Sequence, residues 1–242
     1  MEEINIAYIG SSEKFILSLL THPFLKLSAV ITQENRLPDA AITAFRKLGI
    51  DTRIVKEKSD LNKIPEWIET ENVLMYDFGM ILPHKLTQSH CICNVHPGSL
   101  TNNRGPHPIG WSILNGETST CLSLHKIDEK IDLGLLIATY EVPVYNTDDI
   151  ISIEQRLFTG LLYILDEYIA FLSGQRQGQV INDGIYYPAI QQKDYTIDLD
   201  NDTLEMISRK IRSQKASRGA ILETKAYRFY VASADKIDNG VS

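Results

Sequence analysis

Short apolar runs rich in β-branched residues alternate along the chain with segments whose apolar residues recur at helical spacing. The run INIAYIG at 4–10 ends at a glycine, and Ser11 or Ser12 could then cap an amphipathic helix. LKLSAVIT at 25–32 predicts a second buried strand, and AAITAFRKLGI at 40–50 predicts a helix. Repeated alternation of this kind predicts an α/β fold with a doubly wound, Rossmann-like sheet of parallel or mixed strands.

The alternation continues into the second half of the chain. Strands are predicted at 72–79, 91–95, 120–127 and 135–144, and apolar residues at helical spacing predict one long helix at 151–174. Ligands of such sheets gather at the carboxyl ends of the strands. We therefore expect the functional residues directly after the strands.

The pattern changes near Gly184. Beyond it come a turn-rich stretch, a short helix at LEMISRKIRS and a β-hairpin at GAILETKAYRFYVAS. We predict a catalytic domain at residues 1–183 and a small α+β appendage at residues 184–242.

Composition narrows the choice of partners. The 242 residues are 43% hydrophobic, which is ordinary for a globular protein, and the net charge is -7. An acidic chain has no general cationic field for a nucleic-acid backbone, although RKIRSQKASR at 209–218 leaves a local basic patch open. We expect no nucleic-acid partner.

Cysteine usage and the start of the chain bear on the compartment. The three cysteines are too few for a disulfide framework, and MEEINIAYIG lacks the features of a leader. No apolar stretch reaches the length of a membrane span. We expect a cytoplasmic protein with no membrane partner, and the spacing of the histidines matches no metal site.

The strand at 91–95 runs into NVHPGSLTNNRGPHPIG. Asn94 and His96 alternate with Val95, so in an extended chain their side chains point to the same face, and Pro97 keeps His96 extended. An amide can donate to an oxyanion and an imidazole can move protons, as acyl transfer to an amine requires. Asp132 could support the imidazole. Taken alone, a structural histidine and a turn-capping aspartate explain the same residues.

The order of several motifs decides between these alternatives. NVHPGSLTNNRGPHPIGWSILNGE, followed by LHKIDEKIDLGLLI, resembles the formyltetrahydrofolate-dependent formyltransferase family, which carries Asn-x-His-Pro-Ser, Arg-Gly-x-x-Pro, Asn-Gly-Glu and Asp-x-Gly in this order. The resemblance covers most of residues 4–180. It implies the formyltransferase fold, formyltetrahydrofolate as the formyl donor and no metal.

Carried over by position, the resemblance implies a catalytic trio of Asn94, His96 and Asp132. Asn94 would hold the formyl oxygen, His96 would handle the proton of the attacking amine, and Asp132 would support His96. The resemblance also implies a folate pocket, with a strand end on one side and the turn before Asp132 on the other. The pocket residues are Phe78, Gly79, Met80, Ile81, Leu82, Lys130 and Ile131.

The acceptor is predicted from the branch of the family. Arg104-Gly105-Pro106-His107-Pro108 resembles the nucleotide-sugar and methionyl-tRNA branches. Because the C-terminal region is short and the chain acidic, the sugar branch is favoured. Gly98 replaces the usual Ser and 101–103 replace a proline-rich stretch. We therefore expect the loop either to be more mobile or to be shaped for a different acceptor.

The resulting hypothesis is formyl transfer to the amine of a dTDP-linked amino-deoxy sugar, by direct attack through a tetrahedral intermediate, for surface polysaccharide such as O-antigen. Candidate substrate contacts are Ser11, Ser12, Arg104 and Tyr187, with a plain helix cap as the alternative for the two serines. Aromatic residues of the hairpin could stack a base or form a homodimer surface. The alternatives are a formyltetrahydrofolate hydrolase, a methionyl-tRNA formyltransferase-like enzyme and a non-catalytic folate- or nucleotide-sugar-binding protein.

Overall fold

A computed structural model describes residues 2–127 and 134–234 of the chain. The chain forms two compact units. The first unit consists of Met1–His96, Leu122–Tyr140 and Thr159–Gly184, and the second of Pro97–Cys121, Glu141–Phe158 and Ile185–Ser242.

The strands alternate with helices over most of the described residues. The strands are β1 Ile4–Gly10, β2 Leu25–Gln33, β3 Asp51–Val55, β4 Asn72–Tyr76, β5 Cys91–His96, β6 Ser119–Ile127, β7 Gly134–Pro143, β8 Gln179–Ile181, β9 Thr196–Ile197, β10 Ala220–Glu223 and β11 Arg228–Val231. The α-helices are α1 Glu13–Thr21, α2 Asp39–Lys47, α3 Ile64–Trp67, α4 His84–Ser89, α5 Pro108–Asn115, α6 Ile150–Leu157, α7 Leu161–Leu172, α8 Gln192–Tyr195 and α9 Leu204–Gln214. Short 3-10 helices cover Lys58–Lys63 and Phe158–Gly160.

The main sheet is mixed, and its strand order is β3-β2-β1-β4-β5-β6-β7-β8. The first five strands in this order, β3-β2-β1-β4-β5, run parallel to one another. The pairs β5–β6 and β7–β8 are antiparallel. The predicted α/β fold with a doubly wound, largely parallel sheet is therefore confirmed.

Burial on both faces explains the apolar runs of the central strands. The last five residues of β1 and nearly all of β5 are buried, so consecutive side chains reach protein on both sides of the sheet. One core cluster of the first unit draws on β1 to β5 and on α3 and α4. This packing fixes the carboxyl ends of the parallel strands at one edge.

The first helix begins where the sequence indicates. The Ser12 hydroxyl accepts a hydrogen bond from the Phe15 N–H at 3.3 Å, which satisfies one of the open donors of α1. The prediction that Ser11 or Ser12 caps a helix is confirmed, and Ser12 is the capping residue.

The single long helix predicted at 151–174 is wrong. The segment forms α6, one turn of 3-10 helix and then α7. The break falls at Gly160, which lies against Tyr140 of β7 so closely that a β-carbon would overlap the aromatic ring. This close approach depends on the tertiary fold, and helical spacing alone could not indicate it.

The second unit contains a small three-stranded sheet of order β11-β10-β9. The antiparallel pair β10–β11 confirms the predicted hairpin, and α9 corresponds to the predicted short helix. Ile197, Ile211 and Ala220 form the core between this sheet and α9.

The last segment of the first unit ends at Gly184, where the sequence predicts a boundary. The second unit also takes up Pro97–Cys121 and Glu141–Phe158, so the two units interleave along the chain. The functional division at residues 183 and 184 stays a prediction. None of the described helices has the length and apolarity of a bilayer span.

Candidate active site

Asn94 and His96 lie at the carboxyl end of β5, in the middle of the main sheet. Both belong to the strand and are separated only by Val95, so their side chains are on the same face of the sheet. They are 9% and 5% exposed, respectively. A buried amide and a buried imidazole thus stand side by side at the edge where ligands of parallel sheets bind.

The neighbouring strand holds the Asn94 amide. Asn94 is directly opposite His125 of β6, and Asn94 Nδ2 lies 3.1 Å from His125 Nε2. His125 is 1% exposed. The sequence alone does not mark His125 as part of the site. Its place opposite Asn94 depends on the antiparallel pairing of β6 with β5, which only the fold defines.

The loop after β4 carries the predicted folate residues. The strand predicted at 72–79 ends at Tyr76, because Asp77 adopts a left-handed backbone with φ 54°. The loop then alternates, with Phe78, Met80 and Leu82 packed against the core and with Gly79 and Ile81 exposed. Ile81 is 73% exposed, an unusual state for a large apolar side chain. The loop therefore presents apolar surface at the same strand edge as Asn94.

Two residues that the sequence analysis did not identify tie this loop to the end of β2. The Gln33 Oε1 atom accepts a hydrogen bond from the Gly79 N–H at 2.9 Å. Arg36 donates to both carboxylate oxygens of Asp77, at 2.9 Å and 3.2 Å. These hydrogen bonds hold the loop next to the strand ends, in addition to the packing of its own apolar side chains.

In the turn after β1, Ser11 and Ser12 form hydrogen bonds with other residues of the protein. The Ser11 hydroxyl lies 3.0 Å from the Thr32 hydroxyl, and the Ser12 N–H donates to the Tyr8 hydroxyl at 3.4 Å. Burial raises the pKa of Tyr8 far above its usual range, so Tyr8 stays neutral and donates to the Tyr76 carbonyl at 2.9 Å. Ser12 serves as the helix cap, and substrate contacts by Ser11 and Ser12 stay a prediction.

Arg104 and Tyr187 come together in the second unit. The Arg104 N–H donates to the Ile185 carbonyl at 3.0 Å, and the Tyr187 N–H donates to the Arg104 carbonyl at 2.9 Å. Gly105 fits here because its φ is 113° and because a β-carbon would overlap the Tyr187 carbonyl. The loop that carries Arg104 is thus paired along its length with the segment that carries Tyr187.

An aromatic stack completes this part of the second unit. The rings of Trp111 and Tyr187 stack at a centroid distance of 4.9 Å, and Trp111 Nε1 donates to the Pro188 carbonyl at 2.8 Å. The adjacent Tyr186 is 51% exposed. Trp111 does not stand out in the sequence, because only the fold brings α5 and the 185–190 segment together.

Three predicted residues, Lys130, Ile131 and Asp132, lie outside the described residues. Their assignments stay predictions. Among residues 2–127 and 134–234, no group of three or more His, Cys, Asp or Glu side chains could hold a metal ion.

The described geometry suits acyl chemistry. The Asn94 amide can donate a hydrogen bond to a developing oxyanion, in a site dry enough for that bond to be strong. The His96 imidazole on the same face has ring nitrogens that can accept or donate a hydrogen bond to an attacking amine. The apolar loop at 78–82 suits the faces of a flat heteroaromatic ring.

The fold and the site define an α/β protein with an amide and imidazole pair at the carboxyl edge of its sheet. Residues 29–160, more than half of the chain, match the family model described as formyl transferase. The chain belongs to this family.

The curated relatives of the chain include methionyl-tRNA formyltransferases. Methionyl-tRNA formyltransferase of Streptococcus pyogenes is 26% identical over 187 residues, which cover 71% of this chain and 60% of that relative. The chain thus spans about 60% of the length of the curated relatives it matches.

Solved structures share the fold. A sugar N-formyltransferase from a Shewanella species superposes with a TM-score of 0.75 at 19% identity, covering 97% of this chain and 98% of that one. HypX from Aquifex aeolicus in complex with tetrahydrofolic acid gives a TM-score of 0.68 at 15% identity, covering 90% of this chain and 35% of that one. Similarity at these identities speaks for a common fold.

Proposed function

We propose that the protein transfers a formyl group from formyltetrahydrofolate to the amine of a nucleotide-linked amino-deoxy sugar. We further propose a dTDP-linked sugar destined for surface polysaccharide such as O-antigen. The observation that carries the proposal is the pairing of Asn94 and His96 on one face of β5, in a chain of the formyl transferase family.

The two buried side chains divide the work of the transfer. The Asn94 amide donates a hydrogen bond to the formyl oxygen as negative charge develops there, and His96 takes the proton that the attacking amine loses. The amine forms its new bond to the formyl carbon, the bond from that carbon to the folate nitrogen breaks, and a proton returns to that nitrogen. Asp132 supports His96 in this proposal.

Formyltetrahydrofolate supplies the formyl group when bound. Its flat ring system suits the apolar loop at 78–82, where Phe78, Met80 and Leu82 are anchored in the core and Ile81 is exposed. Lys130 and Ile131 form the other wall in this proposal. The Gln33 and Arg36 contacts hold this loop at the end of β2.

The second unit offers groups for a nucleotide. Arg104 can bind phosphate with its guanidinium group. Tyr187, on the segment that pairs with the Arg104 loop, stacks on Trp111 of α5. The half-exposed Tyr186 adds an aromatic face. Together they support a ligand that carries both a base and a diphosphate.

Methionyl-tRNA is the second candidate acceptor, because the sequence relatives include methionyl-tRNA formyltransferases. The ion pairs of the basic stretch at 209–218 argue against it. Arg209 pairs with Glu205, Lys210 with Asp202 at 2.6 Å and Lys215 with Asp149 at 3.0 Å. Cations with acidic partners present a weaker field to tRNA phosphates, so the sugar is the acceptor that we propose.

We also propose that the protein forms a homodimer and that it is located in the cytoplasm. Edge strand β11 and the residue before it present the exposed aromatic side chains of Tyr227, Phe229 and Tyr230, which suit a second copy. Within the part of the chain that the structure describes, Cys91, Cys93 and Cys121 form no disulfide, which suits a reducing compartment.

The test is an acceptor screen with formyltetrahydrofolate. UDP-, GDP- and dTDP-linked amino sugars and methionyl-tRNA are each incubated with the enzyme, and mass spectrometry follows the formylated product and free formate. We expect formylation of a dTDP-linked amino sugar. Formyl-methionyl-tRNA as the only product would support the second candidate, and formate alone would indicate a hydrolase. Ligand binding with turnover no higher than that of His96→Ala would indicate a binding protein.

A further inference from the structure

The Asn94 side chain contacts His125 on the neighbouring strand. In the antiparallel pair β5–β6, Asn94 and His125 are directly opposite each other and share a face. Their side-chain nitrogens Nδ2 and Nε2 are 3.1 Å apart, which is hydrogen-bond distance. An amide nitrogen can only donate, so the ring nitrogen Nε2 is the acceptor.

We propose that His125 is a positioning residue for formyl transfer, because its ring holds the Asn94 amide in the orientation that catalysis needs. The inference rests on the proposed function. The amide nitrogen carries two hydrogens, and the one donated to His125 sets the plane of the group. The second hydrogen is then aimed in a fixed direction and is available to the formyl oxygen.

Fixing this direction matters because the amide is otherwise free to rotate. The torsion that turns an asparagine amide about its Cβ–Cγ bond has broad minima, so packing alone defines it poorly. An oxyanion donor stabilises a transition state only when it is already oriented toward the developing charge. A misplacement of about 1 Å can cost on the order of 100-fold in rate.

Burial makes His125 suited to this task. The ring is 1% exposed and Asn94 is 9% exposed, so water does not compete strongly for the amide hydrogen. Both residues sit inside paired strands rather than on loops, which keeps the two atoms in register.

The test compares two substitutions at the same position. His125→Leu fills the space but removes the acceptor, whereas His125→Gln places an amide oxygen near the position of Nε2. We expect His125→Leu to lower kcat by about tenfold with little change in the KM for formyltetrahydrofolate, and His125→Gln to restore most of that loss. Leu124→Val is the matched control, since Leu124 is equally buried on the same strand but points to the opposite face.

A double-mutant cycle separates positioning from general destabilisation. If His125 acts through Asn94, His125→Leu has no further effect on kcat in an Asn94→Ala background. Equal losses in both backgrounds, or wild-type kcat in His125→Leu, would overturn the proposal. The Leu124→Val control should lower the free energy of unfolding while leaving kcat unchanged.

Nuclear magnetic resonance of the Asn94 side-chain amide tests the contact with His125 without any measurement of turnover. In protein labelled with 15N-asparagine, one of the two Asn94 side-chain protons should shift and exchange faster with solvent in His125→Leu than in the wild type. Unchanged resonances would show that His125 does not hold the amide. A wild type that transfers no formyl group while these resonances shift would overturn the proposed function and the catalytic role of His125, but not the contact itself.

Discussion

Gln33, the last residue of β2, holds the loop after β4 through a 2.9 Å hydrogen bond from the Gly79 N–H to its side-chain oxygen. The same loop carries the apolar residues that we assign to the folate ring. A side chain at the end of one strand therefore fixes the loop after another strand, which we propose as one wall of the folate pocket.

We expect Gln33→Leu to weaken folate binding. Loss of the acceptor leaves the Gly79 N–H without this bond, which costs about 1 kcal/mol, or roughly fivefold in Kd. Titration calorimetry with formyltetrahydrofolate measures the change. Gln33→Glu is the control, because a carboxylate keeps an acceptor oxygen at the same length and should retain most of the affinity. Equal affinities for wild type and Gln33→Leu would contradict this role.

Gly160→Ala should destabilise the first unit. The added methyl group would overlap the Tyr140 ring, and such overpacking costs about 1–3 kcal/mol. Urea unfolding measures the loss as a lower midpoint. In a Tyr140→Ala background the same substitution should cost much less, because the ring is no longer there. An undiminished cost would place the strain elsewhere.

The sequence predicts the parts of this molecule that depend on local pattern. The β1 and β2 strands and the start of α1 follow from apolar runs and a capping serine. Asn94 and His96 are recognisable because both lie in one motif on one strand.

Contacts between distant segments could not be predicted. The break at Gly160 depends on where β7 runs, and the neighbour of Asn94 depends on β6 pairing antiparallel beside β5. Trp111 and Tyr187 stack because α5 and the 185–190 segment meet in the fold. Each of these three contacts joins segments that are far apart in the sequence. The periodic spacing of hydrophobic residues does not indicate which distant segments meet.

Acid should weaken the second unit through Asp148. Arg156 donates to both carboxylate oxygens, at 2.7 Å and 2.8 Å, and holds the pKa of Asp148 at about 2, below its ordinary value of 3.8. Because the pKa is lower in the folded state, the stabilisation is complete above about pH 4 and is lost as the pH falls toward about 2. We expect Asp148→Asn to cost about 2 kcal/mol at neutral pH and to flatten the pH dependence in that range.

Unfolding by urea at a series of pH values between about 2 and 7 measures this dependence. Asp51→Asn is the control, since the pair of Asp51 with Arg53 is largely solvent-exposed and should contribute about 0–1 kcal/mol. A wild-type and Asp148→Asn difference that stayed constant across this range would contradict the assignment.

Tyr187→Ala should impair sugar binding while sparing folate binding. The substitution removes the ring that stacks on Trp111 and loosens the segment paired with the Arg104 loop. We expect the KM for the nucleotide sugar to rise roughly fivefold, as for the loss of about 1 kcal/mol. Tyr187→Phe keeps the ring and should behave like the wild type. A rise in the KM for formyltetrahydrofolate alone would contradict this assignment.

The measurement that tests the central claim most directly is single-turnover formyl transfer to a dTDP-linked amino sugar by the wild type, Asn94→Ala and His96→Ala. We expect a formylated sugar from the wild type, with the rate lowered about 100- to 1000-fold by Asn94→Ala and at least about 100-fold by His96→Ala. All three proteins should keep the same melting temperature within a few degrees and the same affinity for folate. Near-normal rates in both variants would contradict the account, because the buried pair on β5 would then not be the site of transfer.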